Sequence, residues 1–281
     1  MKKTFPILFT LLATSAFVQA VPQPLTVYTY DSFSADWSAG PKVKAGFEQQ
    51  FPQCQLTYVA FDNNGTLFNR VRLEGKKIKA DVVLGLDHHQ IDEAKKLAIF
   101  EPNKADLSKL VLPLKWEDRI FLPFDFAKYA FIYDKNKLAN PPKSLKELVE
   151  RKDLKVLYQD PRTSGIGRGL LLWVNALYPQ AEAQNIWKNL SEHTVTVTKG
   201  WTEAYGAFLK GEADLVLSTN TSPLYHLLAE QKENYAATDF TEGGVLQIEV
   251  AAKVANRNNV CADYFLDYLL SPQAQADIAK N

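Results

Sequence analysis

Short extended runs alternate with helical patterns along most of this chain, and this alternation constrains its fold more than any other feature. The runs are rich in β-branched and aromatic residues and are bounded by turn-forming residues, which is typical of β-strands. Six of them lie at Leu25–Tyr30, Gln55–Ala60, Asp81–Gly85, Lys155–Gln159, Thr194–Thr198 and Asp214–Ser218. Strands that alternate with helices favour an α/β fold whose sheets are largely parallel.

Two longer extended runs, Phe121–Tyr133 and Val245–Lys253, have no helical pattern directly before them. We interpret them as crossovers between two α/β lobes. A chain that crosses twice forms a hinge, and ligands of open α/β sheets bind where the strands end. The predicted organisation is lobe one at 21–120 and 241–281 and lobe two at 121–240.

Several helix starts are also visible in the sequence. Ser144, with Glu147 three residues later, fits a capping box. Ser271 and Pro272 fit the start of a final helix. These signals place helices between the predicted strands.

Residues 1–20 have the pattern of a secretory signal peptide, with two lysines, an apolar run from Phe5 to Val18, and Ala20 before the cleavage point. The run is too short to span a bilayer, and no comparable run follows it. No cysteine lies directly after Ala20, so we expect no lipid anchor. The expected product is a soluble protein that begins at Val21, in the periplasm of a Gram-negative bacterium.

Charge and cysteine content narrow the class of function. The chain has 32 basic and 32 acidic residues, and loss of the two N-terminal lysines leaves a slightly acidic protein without the basic footprint of nucleic-acid binding. Cys54 and Cys261 can pair in an oxidising compartment, but spacing alone does not show that they are close. No histidine neighbours either cysteine in sequence, so neither is marked as a nucleophile.

The stretch from Thr194 to Tyr205 is the most specific local pattern. Alternating threonine and valine predict a strand, Gly200 frees the turn, and Trp201 then falls on the loop before a helix that Thr202 or Glu203 can cap. An aromatic residue in that position either contacts a ligand or packs under its own helix.

Polar loops follow four of the predicted strands. Asn63, Asn64 and Gly65 place amides and backbone N–H groups at a helix start, and Ser164 and Gly165 do the same further on. Such groups suit an anion or a neutral polar head group. The alternative is that these residues only cap helices.

Aromatic residues lie in or just after these loops, at Tyr30, Trp37, Trp201, Tyr205 and Tyr225. They could hold a flat or cationic ligand between ring faces, and a cation over an indole gains about 0.5 to 2 kcal/mol. Asp31 and Asp62 could supply a carboxylate for the charge. The alternative is that Asp31 and Asp62 only stabilise turns or cap helices.

Asp87-His88-His89 raises the possibility of a metal site, because adjacent histidines can bind metals. A metal hydrolase needs further ligands on other strands, and only His193 and His226 remain. No Tyr-Tyr dipeptide is present to suggest ferric-ion capture. We therefore expect no metal, although hydrolysis by two facing carboxylates stays open.

Five stretches together carry a family resemblance. They are Leu25–Phe33 with Asp36-Trp37, Ala80–Asp87, Tyr133–Leu138, Tyr158–Ser164 and Thr194–Tyr205. They resemble the periplasmic thiamine-binding proteins of bacterial ABC importers over residues 21–281. The resemblance implies a two-lobed periplasmic binding protein fold of type II, transferrin-like, with a mixed sheet flanked by helices in each lobe. It also implies a monomeric, non-enzymatic protein without a cofactor, which closes on thiamine or its phosphates and docks on an inner-membrane permease.

The same resemblance carries particular residues over to the ligand. The tryptophan of the Lys-Gly-Trp run is Trp201, and the contact pair after Pro-Arg-Thr is Ser164 and Gly165. The contact run before the Ser-Pro turn falls on Thr219, Asn220, Thr221 and Ser222. We assign ring contacts to Trp201 and Trp37, with Tyr30 and Tyr225 nearby, the positive charge to Asp31, and the tail to Ser164, Asn63 and Asn64.

Three departures from the family pattern bear on the ligand. Asn63-Asn64 stands where the family has Asp-Gly, so a negative charge is lost. Thr219-Asn220 stands where a tyrosine is expected, and the chain stops at Asn281 before a segment that brings another aromatic, so part of lobe one is expected to be missing. Two alternatives remain, namely the same fold with a related pyrimidine or small cation, and a thiamine-processing enzyme that would need a nucleophile in the cleft.

Overall fold

The computed structural model describes residues 21–280, so the predicted signal peptide lies outside the described residues. Ten strands are present in this range: β1 Gln23–Tyr30, β2 Cys54–Phe61, β3 Val82–Asp87, β4 Phe100–Glu101, β5 Phe121–Asp134, β6 Val156–Gln159, β7 Thr194–Thr198, β8 Leu215–Thr219, β9 Tyr235–Ala237 and β10 Leu246–Val254. All six predicted strands are confirmed to within one or two residues at each end.

Eleven α-helices accompany the described strands: α1 Asp31–Ser34, α2 Ala39–Gln50, α3 Asn64–Glu74, α4 Ile91–Lys96, α5 Leu145–Glu150, α6 Gly165–Leu177, α7 Gln180–Ser191, α8 Trp201–Leu209, α9 Ser222–Glu230, α10 Val260–Leu269 and α11 Pro272–Ile278. The Ser144 hydroxyl accepts the Glu147 amide at 2.9 Å and Ser271 caps α11, which confirms both predicted starts. From residue 21 to 280, no helix has the length and apolar character needed to cross a bilayer.

The strands lie in the order β2-β1-β3-β10-β5-β8-β6-β7, with β4 added to β10 and β9 added to β5. Strand β1 is parallel to β2 and β3, and β6 is parallel to β7 and β8. The central pairs β3–β10, β10–β5 and β5–β8 are antiparallel. The sheet is therefore mixed. Strands β5 and β10 can pair antiparallel with their neighbours because they enter the sheet without the crossover helix that a parallel connection requires.

Strand β5 pairs with two parts of the sheet in succession. Its first half, Phe121–Lys128, pairs with β10, and its second half, Tyr129–Asp134, pairs with β8 and β9. We call the part around β1–β4 and β10 lobe one and the part around β6–β9 lobe two. Strands β5 and β10 are the two predicted crossovers, while the exact domain limits stay a prediction.

Each lobe has its own hydrophobic core. In lobe one, Phe47 and Phe265 pack together with ring centroids 5.3 Å apart, in a cluster that reaches Phe124 on β5. In lobe two, Trp173 and Phe240 pack at 5.4 Å. Each buried cluster takes its residues from one lobe and from the crossing strands, so the lobes are joined by strands rather than by a common core, as hinge motion requires.

Cys54 and Cys261 form a disulfide with their Cα atoms 5.8 Å apart. The bond links the start of β2 to the start of α10 within lobe one. Both side chains are buried. The pairing that the sequence left open is thus present in the fold.

Candidate binding site between the two lobes

Three helix starts meet where lobe one faces lobe two. Helix α3 follows β2, and its N-cap Asn63 accepts the Thr66 amide at 2.8 Å while the Thr66 hydroxyl accepts the Asn63 amide at 3.1 Å. Helix α6 follows β6 and is capped by Ser164. Helix α8 follows β7 after Gly200 and has no side-chain cap. The positive ends of three helix dipoles therefore point into one region.

The contact between these helix starts is close. The Gly165 amide donates to Asn64 Oδ1 at 2.8 Å, between lobe two and lobe one. A Cβ atom on Gly65 would lie 1.8 Å from the Thr163 carbonyl oxygen, and one on Gly200 would lie 3.3 Å from Asn63 Nδ2. The fold thus brings the predicted residues Asn63, Asn64, Ser164 and Gly165 together, and it does so in a closed arrangement of the lobes.

Two more polar bridges join the lobes at the rim of this region. Lys199 pairs with Asp62, and this partner lowers the pKa of the Asp62 carboxyl. The Thr202 hydroxyl donates to Asp31 Oδ2 at 3.2 Å, and burial raises the pKa of Asp31. Solvent screens an exposed ion pair such as Lys199–Asp62, so this pair adds little to stability. The role of Asp31 as a partner for ligand charge stays a prediction.

Aromatic rings from both lobes face one another beside these bridges. Trp37 of lobe one lies 6.3 Å from Trp201 and 5.8 Å from Tyr225 of lobe two, measured between ring centroids. Trp201 also stacks on Tyr205 at 4.7 Å and donates from its indole nitrogen to Ser218 Oγ at 2.7 Å. Trp37 is 44% exposed, so its ring is accessible to a small molecule.

The predicted loop position of Trp201 was wrong in one detail. Trp201 is the first residue of α8, and neither Thr202 nor Glu203 caps that helix. Thr202 bonds to lobe one instead, and Glu203 accepts the Lys199 amide at 3.1 Å. The helix begins earlier because the extended Gly200 provides the N-cap conformation.

The turn between β8 and α9 contributes hydroxyl groups next to Trp201. Ser218 and Ser222 hydroxyls lie 2.7 Å apart, and Thr219 and Thr221 hydroxyls lie 3.0 Å apart. Asn220 is directed elsewhere, since its Oδ1 accepts the backbone amide of Lys128 at 2.9 Å. The fold thus places Thr219, Thr221 and Ser222 in one hydroxyl cluster, while the Asn220 side chain bonds to β5.

Sequence reasoning missed a row of carboxyl groups across three neighbouring strands. Glu249 on β10 is in register with Asp87 on β3 and with Asp125 on β5, which puts the three side chains on one face. Tyr30 donates to Glu249 Oε2 at 2.5 Å, and Tyr129 donates to Asp87 Oδ2 at 2.9 Å. In the sequence, the only sign of this row is that acidic residues lie within apolar runs.

Burial raises the pKa values of two members of this row, Asp125 and Glu249, because a low-dielectric site disfavours charge. The pKa of Asp125 rises from 3.8 to about 7, through burial and then the nearby Asp87 charge, against a hydrogen bond from the Glu249 amide. The pKa of Glu249 rises well above its usual value, first through burial and then through the Asp125 charge. Asp125 and Glu249 therefore hold protons that ordinary carboxyl groups release.

The raised pKa of Asp125 predicts how stability depends on pH. An acid that binds its proton more tightly in the folded protein stabilises that state at low pH, and this stabilisation is lost as pH rises from about 4 to about 7. We expect Asp125→Asn to unfold at a higher urea concentration than the wild type at pH 8, with a smaller gain at pH 5. Exposed Asp92 on α4, changed to Asn, is the control. Equal gains at both pH values would contradict the assignment.

The Asp-His-His triplet at the end of β3 makes hydrogen bonds within the protein. Asp87 Oδ1 accepts the His89 amide at 2.9 Å, and His88 Nδ1 accepts the Ile248 amide at 3.1 Å. The potential ligand atoms of Asp87, His88 and His89 do lie within 4.8 Å of one another. The bond between His88 and Ile248 joins the end of β3 to β10 next to the hinge.

The assembled site suits one kind of ligand. Ring faces of Trp37 and Trp201 can hold a flat or cationic group. The hydroxyl cluster and the helix starts offer polar contacts for a tail. A small aromatic cation with a polar tail fits this combination.

Comparison with known proteins agrees with this geometry. A family model described as bacterial extracellular solute-binding protein matches residues 30–276. The thiamine-binding periplasmic protein of Haemophilus influenzae is 62% identical over 268 residues, which are 95% of this chain and 80% of that protein. The protein of the same name from Escherichia coli is 52% identical over 277 residues, which are 98% of this chain and 83% of that protein.

A solved structure of a periplasmic thiamin binding protein superposes with a TM-score of 0.89 at 50% identity, covering 96% of this chain and 84% of that one. The predicted two-lobed, transferrin-like fold is thereby confirmed. The chain belongs to the bacterial extracellular solute-binding proteins and, among them, to the family of the thiamine-binding periplasmic proteins.

Proposed function

We propose that this protein captures thiamine, or thiamine phosphates, in the periplasm and delivers the vitamin to an ABC importer in the inner membrane. The observation that carries the proposal is the approach of Trp37 and Trp201 from opposite lobes, 6.3 Å apart between ring centroids. Thiamine has a flat aminopyrimidine, a cationic thiazolium and a polar tail, which match the ring faces, the Asp31 carboxylate and the helix starts. The names of the relatives support the same ligand.

Capture proceeds by closure of the lobes about β5 and β10. Ligand contacts with Trp37 on lobe one and with Trp201 and Ser164 on lobe two favour the closed state, because a ligand shifts a conformational equilibrium through its differential affinity. The polar bridges at Asp31 and Asp62 form in the same state. The closed protein then presents one joint surface of both lobes to the permease.

The protein acts as a monomer and as a binding protein rather than as an enzyme. Cys54 and Cys261, the only two cysteines of the chain, are joined to each other and buried, so neither offers a thiolate for attack on thiamine. Binding of the vitamin requires no cofactor or metal and involves no nucleic acid.

The ligand is tested by calorimetric titration of the purified protein, freed of bound ligand by unfolding and refolding, with thiamine, its phosphates and the free pyrimidine. We expect saturable binding of thiamine or a thiamine phosphate and no change in the recovered ligand. Binding of the pyrimidine alone would favour the related-pyrimidine alternative, and ligand turnover would favour an enzyme. Absence of heat with all of these compounds would overturn the proposal.

Trp201→Ala tests the ring contact itself. We expect a loss of about 1 to 3 kcal/mol in binding free energy, by analogy with the stacking of bases on aromatic side chains. Trp187→Ala is the matched control, because Trp187 packs on Tyr158 in lobe two, 5.9 Å away, and has no ring contact with Trp37. If Trp201→Ala bound the ligand with wild-type affinity, the role of Trp201 would be purely structural.

A further inference from the structure

The side chain of Asn64 fills the point where two of the helix starts meet. Its Oδ1 accepts the Gly165 amide at 2.8 Å, and Asn64 itself is only 8% exposed. A Cβ atom on Gly165 would lie 2.2 Å from Asn64 Nδ2. No room remains for a ligand atom between the Asn64 amide and the backbone of Gly165.

The surroundings of Asn64 would favour an anion. The N-termini of α3, α6 and α8, with 11, 13 and 9 residues, converge there, and helix N-termini attract negative charge. The cation beside them, Lys199, is already paired with Asp62. The neutral carboxamide of Asn64 nevertheless accepts the hydrogen bond from the Gly165 N–H group. An incoming phosphate would need this same donor.

We propose that Asn64 sets the head-group preference of the site and selects the unphosphorylated ligand over its phosphate esters. This inference rests on the proposed function. A phosphate reaches the Gly165 amide only if Asn64 leaves it, which breaks a buried hydrogen bond between the lobes and opposes closure. A hydroxyl tail needs no such displacement, since it can lie beside the filled position.

The test compares thiamine with thiamine monophosphate by calorimetry in the wild type and in Asn64→Gly. We expect the wild type to bind thiamine about tenfold more tightly than the monophosphate, the difference expected when one buried donor is already occupied. Asn64→Gly should remove or invert this preference. Asn69→Gly, at an exposed position of the same helix, should keep the wild-type ratio and controls for the cost of glycine in α3.

Asn64→Asp gives a second, independent measurement. Its carboxylate can still accept the Gly165 amide and suits the first turn of a helix, so this variant should fold. The added charge should weaken monophosphate binding by a further factor of about ten. This variant keeps the inference testable even where Asn64→Gly does not fold.

The possible failures are distinct. Equal or tighter binding of the monophosphate by the wild type would overturn the role of Asn64, as would an unchanged ligand ratio in both Asn64 variants. In either case thiamine would still bind and the proposed function would stand. Absence of binding of both ligands to the wild type would overturn the proposed function and this inference with it.

Discussion

Gly65→Ala is expected to fold normally and to lose most of its affinity for the ligand. The new Cβ atom would lie 1.8 Å from the carbonyl oxygen and 2.5 Å from the carbonyl carbon of Thr163 in the opposite lobe. Both are backbone atoms, so no side-chain rotation relieves the overlap. Closure would then cost about 3 kcal/mol, the upper end of overpacking penalties, which is about a hundredfold in the dissociation constant.

The Gly65→Ala substitution should impair closure of the lobes without lowering the stability of the fold. Within lobe one, alanine suits α3 better than glycine does, so the free energy of unfolding of Gly65→Ala should equal or exceed that of the wild type. Calorimetry measures the affinity, and small-angle scattering with and without ligand measures whether the lobes close.

Gly206→Ala is the matched control for this prediction. Gly206 lies within α8 in lobe two, and a Cβ atom there would meet no heavy atom within 4 Å. The same chemical change should therefore leave both affinity and closure as in the wild type. Wild-type affinity in Gly65→Ala as well would mean that the contact between α3 and Thr163 does not accompany binding.

The elements of the fold could be predicted because their signals are local. The alternation at Thr194–Thr198 gave β7 with the correct ends, and Ser144 with Glu147 gave the start of α5. The order of the strands in the sheet could not be predicted from local signals. Strand β10 lies between β3 and β5 because of packing among segments far apart in sequence. No short sequence motif predicts that position.

The candidate site was predictable only in its local parts. Each polar loop after a strand was visible, including Asn64 and Ser164, because caps and turns have characteristic residues. The contact of Asn64 with Gly165 joins positions 101 residues apart. The row of Asp125 and its neighbours depends on strand register, which the sequence does not specify for three strands that are distant in the chain.

Removal of the disulfide should produce the largest change in stability. Cys54 and Cys261 are 207 residues apart in sequence, so the bond restricts most of the unfolded chain. Long closed loops lie at the upper end of the usual effect, and we expect the Cys54→Ala, Cys261→Ala double variant to lose about 2 to 5 kcal/mol of unfolding free energy. Urea unfolding followed by circular dichroism measures the loss.

Reduction of the wild type separates the cross-link from the packing of the sulfur atoms. Wild type with its disulfide reduced should lose nearly as much stability as the double variant, since the covalent restriction is the larger effect. Ligand affinity should stay unchanged, because the disulfide lies at the start of β2 and the binding loop follows the end of that strand, about 25 Å away for eight residues. An unchanged unfolding midpoint after reduction would show that the core of lobe one, rather than the covalent bond, holds β2 against α10.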